Sequence, residues 1–147
     1  MNREIKFRAW DKEGNKMISG DNFAFEEYAP LNDLFHNNFK RFDFMQYTGC
    51  KDGNGVEIYE GDIIETHEHR IQTIIWEDNG FKRKYTFERT FQGESYFETR
   101  ILEIGDSSNR NWGYKVIGNI YENKELLEVE WWNVNTLKKK GQLVNTL

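Results

Sequence analysis

Glycine, aspartate and asparagine recur between residues 49 and 62 at a spacing that breaks the chain into short extended segments. Met45-Gln46-Tyr47-Thr48-Gly49-Cys50-Lys51 runs into Asp52-Gly53-Asn54-Gly55, then Val56-Glu57-Ile58-Tyr59, then Glu60-Gly61-Asp62 and Ile63-Ile64. Asp-Gly and Asn-Gly accept the positive φ that tight hairpin turns demand. The stretch therefore reads as strand, turn, strand, second turn and a further strand. The rest of the chain is punctuated in the same way, with 12 Gly and a single Pro, which suits many hairpins better than long helices. Aromatic residues make up 16%, and these side chains are enriched in strands and bury large areas. The chain of 147 residues fits one domain with a real core.

Alternation places further strands at Ile5–Trp10, Met17–Ile18, Phe42–Tyr47, Ile71–Trp76, Phe81–Phe91, Ser95–Ile104 and Tyr114–Tyr121, separated by turn signals at Gly14-Asn15, Asp78-Asn79-Gly80 and Gln92-Gly93-Glu94. Phe23–Tyr28 reads as an irregular strand. Pro30–Phe35 reads as a short helix with Pro in its first turn and Leu31, Leu34 and Phe35 on one face. A second short helix, Lys124–Glu128, follows a cap at Asn123. From Asn133 the sequence turns polar and basic, with Lys138-Lys139-Lys140, so residues 1–132 are read as the domain and 133–147 as an extension. Val-Asn-Thr-Leu occurs twice in this extension, at Val134–Leu137 and Val144–Leu147; one duplication is too little for a repeat architecture.

The net charge is −5, which argues against a duplex-binding footprint spread over the whole domain. The charges are unevenly placed. Glu57, Glu60, Asp62, Glu65 and Glu68 lie in a segment without Lys or Arg, whereas Lys82, Arg83, Lys84 and Arg89 face only Glu88 in Phe81–Phe91. The plainer expectation is that the two segments neutralise each other as neighbouring strands. The sharper one follows from Tyr85 and Phe87, which interleave aromatic rings with Lys82, Arg83, Lys84 and Arg89 as single-strand-binding sheets do. Aromatic–charged alternation is also what any half-buried strand shows, and the plainer reading is preferred.

His67-Glu68-His69 is the cluster with a metal flavour, but zinc wants three or four ligands and His36 is remote in sequence; a polar turn is expected, and no metal. Gly49, Gly53 and Gly55 lack the Gly-Lys-Ser/Thr and the helix of a phosphate loop, so they are read as turn glycines. Glu60, Asp62 and Glu65 have the spacing of a turn entering a strand, and Cys50 has no nearby base. No catalytic residue and no cofactor is expected. Trp131-Trp132 cannot both face one core from a peripheral segment and are read as a subunit contact. Cys50 is the single cysteine, so no internal disulfide can form and a reducing, cytoplasmic setting is expected. Met1–Lys6 has no apolar segment of a signal peptide, and no apolar run reaches transmembrane length, so no membrane association is expected.

Three blocks carry a resemblance. They are Arg3-Glu4-Ile5-Lys6-Phe7-Arg8-Ala9-Trp10-Asp11; Gln46-Tyr47-Thr48-Gly49 with Ile58-Tyr59-Glu60-Gly61-Asp62-Ile63; and Val116-Ile117-Gly118-Asn119-Ile120-Tyr121-Glu122-Asn123 with Glu125-Leu126-Leu127. In order and spacing they resemble the YopX-like phage proteins, a family without an assigned biochemical activity. Cys50 stands where an aliphatic residue is usual, and Lys124 where Pro often opens the helix. The resemblance implies a phage or prophage origin and a mainly-β fold of bent sheets in a barrel-like arrangement, with one or two short peripheral helices. The expected function is a non-enzymatic accessory or interaction protein of the phage programme in the host bacterial cytoplasm. It is expected to self-associate as a homo-oligomer and to have an unidentified phage or host protein as partner. A nucleic-acid-binding module working through Lys82–Arg89 is the alternative, and a metal-dependent hydrolase is third.

Overall fold

The computed structural model of the chain describes residues 4–20, 40–105 and 113–127. The expected strand at 23–28, the helix at 30–35, His36, Trp131, Trp132 and the basic extension lie outside these residues. Among the described residues strands take 61% and helix 5%, so the fold is mainly β as the hairpin signals required. The strands are β1 (Phe7–Asp11), β2 (Lys16–Ser19), β3 (Phe42–Lys51), β4 (Glu57–Tyr59), β5 (Asp62–Glu65), β6 (Ile71–Glu77), β7 (Gly80–Phe91), β8 (Glu94–Glu103) and β9 (Lys115–Asn119). A helical turn, α1, covers residues 124–127. Two antiparallel sheets form, in the orders β2-β1-β3-β4 and β8-β7-β6-β5-β9, and one of them curls into a half-barrel.

Turn chemistry explains the hairpins, with two corrections. Glu77 pairs with Gly80 across Asp78-Asn79, and both turn residues have positive φ (49° and 60°). That is the mirror-image turn whose twist matches the strands it joins; Gly80 itself opens β7. Gln92 (φ 52°) and Gly93 (φ 84°) make the same turn between β7 and β8. Gly49, expected in a turn, lies instead inside β3 at a bulge, where the register against β4 shifts between Tyr47 and Lys51. Thr48 stabilises it by donating from Oγ1 to the Ile58 carbonyl and accepting from the Cys50 amide. Gly53 carries no positive φ, and Gly55 (φ 80°) carries it for that loop.

Ile58, Ile64, Ile74 and Tyr114 form the buried cluster, with Cys50, Ile104 and Val116 packed around it. Ile58 comes from the first sheet and the others from the second or its flanks, so the core is the seam between them. Each fully buried isoleucine contributes about 1.5–3 kcal/mol relative to exposure. Cys50 touching this aliphatic cluster explains why an aliphatic residue serves at that position. Strand β5 departs from alternation: it lies between β6 and β9, and Asp62, Ile63 and Ile64 are all buried, so both of its faces are covered.

The segment after β9 is organised by two asparagines. Asn119 accepts from the amides of Tyr121 and Glu122. Asn123 stands at the cap position of α1, but its Oδ1 turns back to accept from the Asn119 amide, a difference from the expected cap. The Asn123 side chain rests on the bare backbone of Gly118, where an added Cβ would clash with its Oδ1, Cγ and Cβ. Gly118→Ala should therefore displace Asn123 and cost about 1–3 kcal/mol, read as a lowered midpoint in urea unfolding with unchanged slope.

Candidate functional site

Three buried aspartates hold the frame from which the surface projects. Asp52 is fully buried at the β3–β4 loop. Its Oδ1 accepts from the amides of Asn54 (2.8 Å) and Val56 (2.9 Å), while Oδ2 accepts from the amide of Val116 in β9 at 2.9 Å. One carboxylate thus ties a turn of the first sheet to a strand of the second. Asp62, also buried, accepts from Arg8 Nη2 at 2.6 Å and from the Tyr59 amide at 2.8 Å. Arg8 lies 4.7 Å from the centre of the Tyr59 ring. Burial pushes the Asp62 carboxyl upward, and Arg8 and the Tyr59 amide pull it back toward the ionised form. Asp11 takes both Nε and Nη2 of Arg41, which holds its carboxyl well below the usual carboxylate range.

Gly61 is the hinge of this arrangement, with φ at 80°. The adjacent Glu60 amide donates to Gln46 of β3, the Gly61 amide donates to Ile74 of β6, and the Gly61 carbonyl accepts from Ile120. Trp10 stacks on Tyr121 with centroids 5.5 Å apart. The three sequence blocks that carry the family resemblance thus converge on one place, the junction of the sheets. Glu60, Asp62 and Glu65 do not form a shared constellation: Asp62 serves Arg8, Glu65 pairs with His69 at 2.8 Å, and burial raises the Glu60 carboxyl.

Phenols at this junction respond to the same burial. Burial and a hydrogen bond to Glu57 push Tyr59 up to about 12, and burial together with the neighbouring Asp43 pushes Tyr121 up to about 12, from an ordinary 10. Between those values the folded state holds protons that the unfolded chain has lost. The contribution to stability is complete below about pH 10 and is lost as pH rises toward 12. In an ultraviolet phenolate titration, Tyr59 and Tyr121 should ionise last and together with the loss of β circular dichroism. A Tyr121→Phe variant should remove part of that late signal.

The longest hairpin carries the expected contact residues. β6 pairs with β7 only as far as Lys84, opposite Thr73, whereas β7 and β8 stay paired out to Phe91 opposite Glu94. Among the described strands, Tyr85–Phe91 and Glu94–Arg100 therefore pair only with each other, as a two-stranded ribbon reaching about 20–25 Å past the sheet. The pleat divides the expected contact set. Arg83, Tyr85 and Arg89 share one face, and Lys82 and Lys84 lie on the other. On the first face Tyr85 stacks on Phe87 (5.5 Å), Arg89 and Arg100 approach the Phe87 ring at 5.7 and 5.0 Å, and both guanidinium groups pair with Glu98. The expectation that the acidic segment Glu57–Glu68 neutralises β7 does not hold. β7 is flanked by β6 and β8, Lys82 pairs with Glu103, and Glu57 and Glu68 pair with Lys6 and Arg70.

At the root of the ribbon lies a cleft of about 440 Å³. Arg70 and Arg83 line it with Tyr85 and Tyr114, together with the buried amide of Gln72 and the exposed His67. Arg83 lies 5.1 Å from the Tyr114 ring centre, donates to Gln72 Oε1 at 3.1 Å and donates to the Glu103 carbonyl at 2.9 Å. His67, Glu68 and His69 lie in a turn closed by hydrogen bonds between Thr66 and Arg70, as expected. Among the described residues no three metal-ligating side chains of His, Cys, Asp or Glu come together. Sequence reasoning missed Arg70, Arg100, Glu98 and Tyr114. The roles of Arg100 and Glu98 follow from cross-strand pairing, such as Tyr85 opposite Arg100, and those of Arg70 and Tyr114 from contacts with Tyr85 and Arg83, none of which local pattern specifies.

These features define a mainly-β domain in which two antiparallel sheets are locked by buried carboxylates and a long ribbon projects from one of them. The chain belongs to the YopX family: the model for the YopX protein matches residues 6–128. Among solved structures it is similar to the crystal structure of protein EF1440 from Enterococcus faecalis. The two share 28% sequence identity over 86% of this chain and 99% of that one, with a TM-score of 0.56. No curated protein matches the chain. No helix among the described residues is long and apolar enough to cross a membrane.

Proposed function

We propose that this chain is a non-enzymatic accessory or interaction protein of a phage or prophage programme, acting in the host cytoplasm and self-associating. One observation carries this reading: the β7–β8 hairpin exposes Phe91 (65%), Tyr96 (46%) and Phe97 (47%) on its ribbon and Ile101 (41%) at the ribbon's root. A two-stranded ribbon is marginally stable alone, and exposed aromatic strand surface is what association covers. The buried Asp11, Asp52 and Asp62 support a non-catalytic role, since each is engaged by arginine or backbone amides that hold the fold. Multi-angle light scattering at micromolar concentration should return an oligomeric mass; a clean monomer overturns the reading.

A second reading, single-stranded nucleic acid binding, is favoured by the guanidinium groups set on rings along one face: Arg70 on Tyr85, Arg83 on Tyr114, Arg89 and Arg100 on Phe87. Such a face stacks bases and tracks phosphates. Glu98, paired with Arg89 and Arg100, and Glu68, paired with Arg70, already answer part of that charge, which makes it the weaker of the two. A salt-dependent gel shift abolished by Arg83→Glu/Arg89→Glu supports it, and no shift at low salt rejects it.

A further inference from the structure

We infer that two copies of this chain join edge to edge through β8, antiparallel and centred on Thr99; the inference rests on the self-association reading and names its surface. Among the described strands β8 is the outer strand of its sheet. It is 10 residues long, contains no Pro or Lys, and pairs with β7 without a bulge. Natural edge strands are normally blunted by short length, charged side chains (above all Lys), Pro or bulges; β8 is long, unbulged and without Lys or Pro, and the two charges at its centre, Glu98 and Arg100, are of opposite sign.

The direction of its backbone groups follows from the turn. Phe91 and Glu94 flank a two-residue mirror-image turn, so they form the first hydrogen-bonded pair of the hairpin, and pairs alternate from there. Thr99 and Ile101 consequently turn their N–H and C=O groups away from β7. The Oγ1 atoms of Thr86 and Thr99 lie 2.9 Å apart, in keeping with a close, non-hydrogen-bonded pair.

Side-chain chemistry then selects the register. With Thr99 opposite Thr99 of a second copy, Glu98 faces Arg100, Arg100 faces Glu98, Tyr96 faces Leu102, and Phe97 faces Ile101. From Tyr96 to Leu102, on either side of Thr99, charged residues meet residues of opposite charge and apolar residues meet apolar ones. Moving the centre to either neighbouring residue sets Glu98 against Glu98 or Arg100 against Arg100, and like charges directly opposite oppose pairing. The exposure of Tyr96, Ile101 and Leu102 is what such a two-fold contact would cover, and the same surface on both partners makes it self-complementary.

The test uses disulfide trapping in the full chain with Cys50→Val, which removes the native thiol. Residues opposite each other in an antiparallel ladder have Cα atoms about 5.5 Å apart, within disulfide reach. Under mild oxidation Thr99→Cys should cross-link most of the protein into a covalent dimer. Ile101→Cys, whose counterpart in the second copy stands four residues away at about 13 Å, should cross-link at least tenfold less. Thr99→Pro should give a monomer by light scattering with unchanged circular dichroism, because proline at that position removes the outward amide and the exposed hydroxyl contact to Thr86 but no backbone hydrogen bond of the β7–β8 ladder. If the Cys50→Val parent is itself monomeric, self-association fails and the inference with it. If the parent is oligomeric while Thr99→Cys cross-links no better than Ile101→Cys, self-association stands and the β8 register is wrong. If Thr99→Pro stays oligomeric with its circular dichroism unchanged, the β8 edge is likewise rejected.

Discussion

Asp52→Ala should lower the unfolding free energy by about 3–5 kcal/mol, a loss of about 10–20 °C in melting temperature for a domain of this size. The carboxylate satisfies three backbone amides, those of Asn54, Val56 and Val116. Its removal leaves them unpaired next to the Ile58, Ile64, Ile74 and Tyr114 core. An unsatisfied buried donor costs about 1–3 kcal/mol; Asn54 and Val56 belong to the β3–β4 loop and Val116 to β9, so the loss also frees the loop of the first sheet from a strand of the second. Asp52→Asn keeps one acceptor oxygen but turns an NH2 toward a backbone N–H; it should recover part of the loss. Thermal and urea unfolding of the two variants measure the difference. A melting temperature within about 2 °C of the parent for Asp52→Ala would show that the loop and β9 are not tied through this side chain.

Arg8→Met should cost about 3–5 kcal/mol, because it strands a buried carboxylate. Asp62 has 2% of its side chain exposed and Arg8 15%, so water cannot take over the role of the guanidinium. The double variant Arg8→Met/Asp62→Asn should be clearly more stable than Arg8→Met, since an amide needs no counter-charge. The pH dependence has a definite sign. Burial already raises the Asp62 carboxyl, and without Arg8 it rises further. The folded Arg8→Met protein then binds a proton that the unfolded chain releases at neutral pH. Its deficit should shrink as pH falls from 7 toward 5. A deficit independent of pH would mean that Arg8 acts by packing on Tyr59 and not by charge.

Much of the local structure was legible in the residues. Asp78-Asn79 and Gln92-Gly93 announced their turns, and alternation marked β1, β3, β6, β7 and β8 to within a residue or two. Gly49 was harder: a left-handed glycine within a strand and one in a turn look alike in sequence, and only the pairing of Tyr47 with Tyr59 and Lys51 with Glu57 identifies a bulge. The candidate contact residues Lys82, Arg83, Lys84, Tyr85 and Arg89 were found as a set, and the two-residue period alone separates Lys82 and Lys84 from the others. Their partners were not legible. Charge neutralisation by the Glu57–Glu68 segment was the wrong expectation, because strand order decides which charges are neighbours, and order depends on contacts between residues distant in the chain. The aspartates were misjudged for the same reason. Asp52 and Asp62 looked like ordinary turn residues, but their closest partners include Val116 and Arg8, 64 and 54 positions away.

Between residues 45 and 64, turn propensity by itself determined a succession of strands and reversals, since positive φ is tolerated by few residues and a β-branched, aromatic run has few other stable forms. The same local physics determined the hairpins, the mainly-β class and the long β7–β8 pair. Only the tertiary structure decided that Gly61 is a hinge between two sheets, that Gly118 is bare to seat Asn123, and that three acidic side chains are buried. A carboxylate is tolerated in a core only when amides or a guanidinium arrive from elsewhere to meet it, and that arrival depends on the whole fold. The edge of β8 likewise became a surface only once β7 had taken its other side.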